Sequence, residues 1–77
     1  MNKDRRARLN AIINAVTELK DQLEEIKDEE ESAIDNTPES LQETDRYIQM
    51  EEAFDNMSDA VDFLSDAIDS MEGAMDV

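Results

Sequence analysis

The sequence has no cysteine, no histidine and no tryptophan, and it has a single glycine and a single proline. Without cysteine, neither a disulfide nor a zinc–thiolate site can stabilise so short a chain. The side chains that most often act as general bases and nucleophiles are missing too. One glycine is too few for a glycine-rich phosphate loop, and the acidic residues lack the loop spacing of a calcium-binding EF-hand. We therefore expect a protein that is not an enzyme and that binds no cofactor and no metal ion.

Long apolar runs are also missing. No stretch approaches the roughly 20 apolar residues of a membrane span, and the basic start lacks the apolar core of a signal peptide. The lack of cysteine is compatible with the cytosol. We expect a cytoplasmic protein with no membrane partner. Its 77 residues form one domain whose core alone stabilises it only marginally, which favours self-association.

The charge is strongly one-sided, with 22 acidic against 7 basic residues and a formal net charge of −15. Residues 1–8 hold four basic residues and one acidic residue, so the rest of the chain carries −18. Such a chain repels nucleic acids and anionic membranes and attracts basic partners. We expect no direct binding of nucleic acid and a protein as the partner, with a basic protein favoured by the charge.

Large apolar residues of the first half recur at alternating intervals of three and four residues. This heptad pattern predicts a coiled-coil-like helix over about residues 4–34. The predicted buried residues, at heptad positions a and d, are Leu9, Ile12, Val16, Leu19, Leu23 and Ile26. Four apolar residues fall outside the pattern of either helix, and we expect them to be exposed, as scattered apolar residues often are. They are Ile13, Ile34, Ile48 and Phe63.

Residues 35–43 predict a break between two helices. Pro38 disfavours helical geometry in the residue before it, and the preceding Asp, Asn and Thr favour turns. The second helix has two plausible starts, a cap at Thr37 with Pro38 in the first position or a cap at Thr44. We favour a brief helical turn at Pro38 followed by a long helix from about residue 44 to 74. Gly73 is expected to mark its frayed or capped end.

The second helix shows the same alternation without a fault. Its predicted a and d residues are Tyr47, Met50, Phe54, Met57, Val61, Leu64, Ile68, Met71 and Met75. An antiparallel pairing in which facing residue numbers sum to 80 sets every a against a d. That register places Lys27 near Glu51 and Arg6 near Glu72. The predicted fold is an all-α antiparallel helical hairpin over residues 1–77, dimerising into a four-helix bundle.

A seven-residue repeat is superimposed on the second helix. Every g position from residue 53 onwards is alanine, and every b position from residue 55 onwards is aspartate. We call Ala53, Ala60, Ala67 and Ala74 the alanine column. Alanine is a good helix former, but its use at every g position indicates close helix approach. Together with Ala15 of the first helix, we expect the column to mediate self-association.

Five aspartates recur at intervals of four and three residues on the face opposite the apolar one. We call Asp55, Asp59, Asp62, Asp66 and Asp69 the acidic stripe. Such a stripe commonly serves only to keep a helix face solvated. Glutamate is the better helix former, however, and a short carboxylate fixes the position of its charge more closely. With Phe63 beside it, the stripe is the candidate partner-binding surface, and its regular charge resembles a nucleic-acid backbone.

The turn carries the most specific resemblance. The segment Asn36-Thr37-Pro38-Glu39-Ser40-Leu41-Gln42, with Arg46-Tyr47 and Glu51-Glu52-Ala53 after it, resembles that of uncharacterised small acidic two-helix proteins of Firmicutes and their phages. In that group a glycine and a serine precede the Arg-Tyr-like pair, where this chain has Glu43 and Thr44. The resemblance implies no catalytic or binding residues. It implies a setting, that of small accessory proteins of mobile elements.

Two functions follow from these patterns. The first is a self-associating, acidic protein-binding module that acts as a small accessory protein. The alternative is a nucleic-acid mimic that inhibits a host DNA-binding or defence enzyme, of restriction or CRISPR type, by occupying its basic groove. The first depends on the alanine column and the second on the acidic stripe.

Overall fold

The computed structural model describes all 77 residues as two long helices joined by a short turn. Helix α1 spans Lys3–Asp35, a single 3-10 turn spans Glu39–Leu41, and helix α2 spans Asp45–Met75. The helices pack antiparallel into a rod of 59 × 15 × 13 Å. The predicted all-α helical hairpin is confirmed. Neither helix combines the length and apolar character needed to cross a membrane.

Polar side chains define where each helix begins. The Asn2 side chain accepts a hydrogen bond from the backbone N–H of Arg5 at 2.8 Å. Thr44 accepts from the N–H of Tyr47 at 3.3 Å and donates its hydroxyl to the carbonyl of Leu41 at 2.7 Å. Each cap satisfies a backbone donor that has no partner in the first helical turn. The second of the two predicted starts, a brief turn after Pro38 and a cap at Thr44, is therefore the one that the chain adopts.

At the far end of α2, Gly73 does not have the capping role that the sequence suggests. The helix continues two residues past Gly73 to Met75, and the N–H of Asp76 then donates to the Gly73 carbonyl at 3.2 Å. No glycine has a positive φ, so Gly73 does not provide the left-handed residue of a glycine cap. The predicted end of the helix, at about residue 74, is within one residue of the observed end, but Gly73 does not cap it.

The apolar face of α2 lies against α1 as its spacing predicts. All nine predicted a and d residues are buried or half-buried, and Val61 and Ile68 are each only 8% exposed. Two small polar residues at the e position, Ser58 and Ser65, are half-buried beside them. The packing face of α2 is therefore centred on its a positions.

Helix α1 is turned about its axis relative to the prediction. Its a residues Leu9, Val16 and Leu23 are half-buried as expected. Its d residues are not buried, since Ile12, Leu19 and Ile26 remain 51%, 58% and 53% exposed.

In α1 the residues at position e, and not those at position d, pack against α2. Ile13 is 7% exposed and belongs to the core, and Lys20, Lys27 and Ile34 are half-buried. The predicted exposure of Ile13 and Ile34 is therefore wrong. The physical reason is that apolar side chains at d, a and e form one arc around α1, and a single partner helix covers only part of it.

The predicted ion pairs between the helices do not form. Lys27 lies over the Phe54 ring, with Nζ 5.9 Å from the ring centroid, and Glu51 is not its partner. The only ion pairs lie within α1, between Arg8 and Asp4 at 3.0 Å and between Lys20 and Glu24 at 3.8 Å. Arg6 therefore has no ion pair with Glu72. The lysines at e instead lay their aliphatic stems along α2, as long cationic side chains often do.

Candidate protein-binding surfaces

Ile12, Leu19 and Ile26 form a line of exposed aliphatic side chains along α1, which we call the apolar stripe. All three occupy heptad position d, so successive members lie about 10 Å apart along the helix axis. Each is more than half exposed. The stripe has no packing partner within the hairpin.

The two sides of the hairpin differ in polarity. The Lys20 ammonium donates to the Ser65 hydroxyl at 3.5 Å, and both residues occupy position e of their helices. The e positions of α1 and α2 therefore meet on one side of the rod. Positions d and g project from the opposite flank of each helix, so the apolar stripe and the alanine column open onto the same side.

The alanine column lies at the edge of the helix pair. Ala53 and Ala60 are half-buried, whereas Ala67, Ala74 and Ala15 are exposed. Alanine side chains keep this flank shallow, so a further helix could approach α2 closely. The structure thus joins the column and Ala15 to the apolar stripe in one continuous face, which we call the apolar face.

The acidic residues of α2 avoid this face entirely. All ten acidic residues between Asp45 and Asp76 occupy positions b, e or f, and none occupies c or g. The c residues are Gln49, Asn56, Phe63, Ser70 and Val77, and the only charged g residue is Arg46. In a hairpin without a partner, both flanks of α2 would meet the same solvent. The one-sided distribution of charge is typical of a helix whose uncharged flank is covered.

The acidic stripe lies on the outer surface of α2, turned away from the apolar face. All five aspartates are exposed, and none makes a side-chain hydrogen bond or an ion pair. Successive members lie about 5 Å apart along the axis. Phe63 is 71% exposed and occupies position c, between the aspartates at f and the alanines at g. It therefore stands on the border between the acidic stripe and the apolar face.

The turn encloses an open cleft of about 480 Å³ that the sequence reasoning missed. Small Ala33 faces large Tyr47 there, and Leu41 of the 3-10 turn is 49% exposed. The residues that line it are Ala33, Asn36, Thr37, Pro38, Leu41, Thr44, Arg46, Tyr47 and Met50. The cleft opens on the d and g side of the hairpin, so it continues the apolar face towards the turn.

The acidic residues do not converge on a point. No group of three or more of them is arranged so that it could hold a metal ion, and no buried side-chain nitrogen or oxygen lacks a hydrogen-bond partner. Both candidate surfaces are extended and line the rod, which suits contact with another macromolecule better than enclosure of a small one. Comparison of the chain with protein-family models, curated proteins and solved structures found no significant match.

Proposed function

We propose that the protein is a non-enzymatic, acidic protein-binding module that associates with itself through the apolar face. The observation that carries this proposal is the exposure of Ile12, Leu19 and Ile26 beside the alanine column. Burying a leucine or isoleucine side chain contributes about 1.5–3 kcal/mol. Because Ile12, Leu19 and Ile26 are each a little more than half exposed, a partner that covered them would add roughly half of that contribution for each.

The total surface supports the same proposal. Only Ile13, Val61 and Ile68 are buried among 77 residues, and the accessible surface is 5734 Å². A compact monomer of 8.8 kDa exposes about 4,800 Å². The excess of about 900 Å² is close to the ~800 Å² that each partner buries in a standard interface. Two hairpins packed face to face would form a four-helix bundle.

The proposal includes a setting. The resemblance of the turn to small acidic proteins of Firmicutes and their phages favours a cytoplasmic accessory protein of a mobile element. The acidic surface favours a protein target over nucleic acid or an anionic membrane, because like charges repel. In the dimer the acidic stripe and Phe63 remain available to a further protein, with a basic one favoured by the charge.

A second candidate function is supported by the acidic stripe itself. Five carboxylates on a rod 15 Å wide present regular negative charge with no partner of their own. A basic groove that binds a nucleic-acid backbone would accept such a rod, which would make the protein an inhibitor of a DNA-binding or defence enzyme of restriction or CRISPR type. Its contacts would be ionic, so binding would weaken steeply with salt.

Sedimentation equilibrium tests the first function. The unmodified chain should sediment as a dimer, and Ala60→Glu or Ala67→Glu should return it to a monomer because each places a carboxylate on the apolar face. Ile48→Glu is the matched control. It adds the same charge at an exposed isoleucine on the other side of α2 and should leave the dimer intact. A chain that remains an 8.8 kDa species at high concentration would refute self-association.

The two functions are separated by a variant in which all five aspartates of the acidic stripe are replaced by asparagine. If the chain is a nucleic-acid mimic, this variant should lose a basic DNA-binding enzyme from affinity purifications, and added salt should remove the same enzyme from the unmodified chain. If the apolar face carries the binding, the partner should stay bound to this variant and in high salt. Circular dichroism should show unchanged helicity in both cases.

A further inference from the structure

The apolar stripe and the alanine column both have their midpoints near the middle of the rod. Leu19 is the middle member of the stripe, and the midpoint of the column falls between Phe63 and Leu64. The Lys20 ammonium reaches the Ser65 hydroxyl at 3.5 Å, so the two midpoints lie within about one helical turn of each other along the rod. The apolar face is therefore symmetric about one line that crosses both helices. Around a two-fold axis near that line, each column would lie against its own copy in a self-complementary interface.

We infer that the apolar face is covered by a second copy of the chain, turned so that the two turns lie at opposite ends. This inference rests on the self-association in the proposed function and adds its geometry. The two-fold axis lies in the interface and crosses α1 at Leu19, so each helix lies antiparallel on its own copy. Leu19 then meets Leu19 of the second copy, and Ile12 meets Ile26 of the second copy.

The alanine column is centred close to the same axis. Its members are spaced evenly about the midpoint, so Ala60 of one copy lies level with Ala67 of the other. Ala53 and Ala74 pair in the same way at the ends of the column. Alanine against alanine permits α2 to approach its copy closely, while the larger residues of the apolar stripe fill the space between the two α1 helices.

The distribution of charge selects the opposite-end arrangement. Residues 24–55, which form the turn end, hold 13 acidic residues against Lys27 and Arg46, a net −11 of the total −15. Residues 1–12 and 66–77 form the other end and hold five acidic against four basic residues, a net −1. If both turns lay at the same end of the dimer, two turn ends with a net charge of −11 each would lie side by side. Turns at opposite ends place each strongly acidic end beside a nearly neutral one.

One ion pair of the interface follows from the register. Arg8 and Glu29 both occupy position g of α1, on the flank that carries the apolar stripe, and both are exposed. Because the axis crosses α1 at Leu19, a residue of one α1 lies opposite the residue of the second α1 whose number brings the sum to about 38. Arg8 of one copy therefore lies beside Glu29 of the other. The pair occurs twice in the dimer. Arg8 has only an exposed partner within its own helix, Asp4 at 3.0 Å.

The absence of cysteine makes the full-length chain suitable for disulfide mapping. A disulfide forms only when the two Cα atoms approach to within about 7 Å. Under mild oxidation, Leu19→Cys should link to its own copy, and Ile12→Cys alone should not, because its copy lies two heptads away. A mixture of Ile12→Cys and Ile26→Cys chains should link. Ala15→Cys mixed with Gln22→Cys gives a second test at exposed positions that leave the apolar stripe unchanged.

The outcomes separate the arrangement from the proposed function. Sedimentation of the reduced variants establishes first that each is still a dimer. If Leu19→Cys stays unlinked in such a dimer, or links to Leu64→Cys instead, the turns lie at the same end and the inference is overturned while self-association stands. If the unmodified chain is a monomer at every concentration, both the arrangement and the self-association are refuted.

Discussion

Among single residues, Thr44 has the most clearly defined structural task. Its hydroxyl connects the 3-10 turn to the first turn of α2, by accepting from Tyr47 N–H and donating to the Leu41 carbonyl. Thr44→Ala should therefore lower the free energy of unfolding by about 1 kcal/mol, the usual cost of losing an N-cap. Urea denaturation followed by circular dichroism measures the change. Thr44→Ser keeps the hydroxyl and should stay close to the unmodified chain, and an equal loss in both variants would argue against the capping role.

Arg8 and Glu29 allow a charge-exchange test at the same scale. Arg8→Glu should weaken dimerisation about tenfold, since each of two surface pairs, worth up to ~1 kcal/mol, becomes a repulsion. Glu29→Arg should weaken it similarly, and the double variant should restore it. The double variant keeps the net charge of −15. Dissociation constants from sedimentation equilibrium at low salt give the comparison.

The Glu29→Arg variant separates a local pair from overall repulsion. The substitution makes the chain less negative, so overall repulsion alone predicts a tighter dimer, whereas the ion pair predicts a weaker one. Asp28→Arg is the matched control because it makes the same charge change at an exposed position on the outer face. If both arginine variants tighten the dimer, Glu29 has no specific partner.

At the scale of the helix, α1 carries two lines of apolar side chains. The apolar stripe is exposed, whereas the line at position e, which includes Ile13, packs against α2. Leu19→Lys should abolish the dimer and leave the hairpin helical, because Leu19 is 58% exposed in the hairpin. Ile13→Lys should unfold the hairpin itself, because Ile13 is only 7% exposed and a buried unpaired charge is strongly destabilising. Ile48→Lys, at a residue 46% exposed on the other side, should do neither. Circular dichroism and sedimentation together distinguish the three results, and a dimeric Leu19→Lys variant would contradict the role of the apolar stripe.

The elements also show how far the sequence alone predicts this molecule. For α2 the spacing of apolar residues identified the whole packing face, and Thr44 identified where the helix begins. For α1 the spacing identified a helix but not its rotation. The two possible rotations of α1 bury the same a residues, and they differ only in whether the d or the e residues face α2. Adjacent Ile12 and Ile13 make either choice acceptable for a single helix.

The rotation of α1 about its own axis depends on how many helices pack against it. In the hairpin α1 turns e towards α2, and the half-buried Lys20 and Lys27 lay their stems along α2 while their ammonium groups reach water. Spacing within one helix carries no information about that choice. For the same reason the spacing places Ile12, Leu19 and Ile26 in the core, whereas each is more than half exposed. The width of the apolar arc of α1, larger than one partner covers, was the signal available in the sequence.

The molecule as a whole is a rod with unequal ends. Its turn end carries most of the negative charge, and its other end is nearly neutral because the basic residues near the N-terminus lie beside the acidic end of α2. The Met1 ammonium group donates to a Val77 carboxylate oxygen at 3.1 Å, so Met1 and Val77 lie at the same end of the rod. The rod therefore has a strong charge dipole along its length. Two such rods, each with a net charge of −15, repel each other least when they lie side by side with their dipoles opposed.

The length of the rod has a consequence for X-ray scattering. The Cα radius of gyration is 17.5 Å, and it is dominated by the 59 Å dimension. Two rods lying side by side with axes about 10 Å apart would raise it only to about 18 Å while doubling the forward scattering. End-to-end association would instead extend the particle and raise the radius of gyration far more. A mass that doubles at almost constant radius of gyration would thus identify lateral association in solution without any label or substitution.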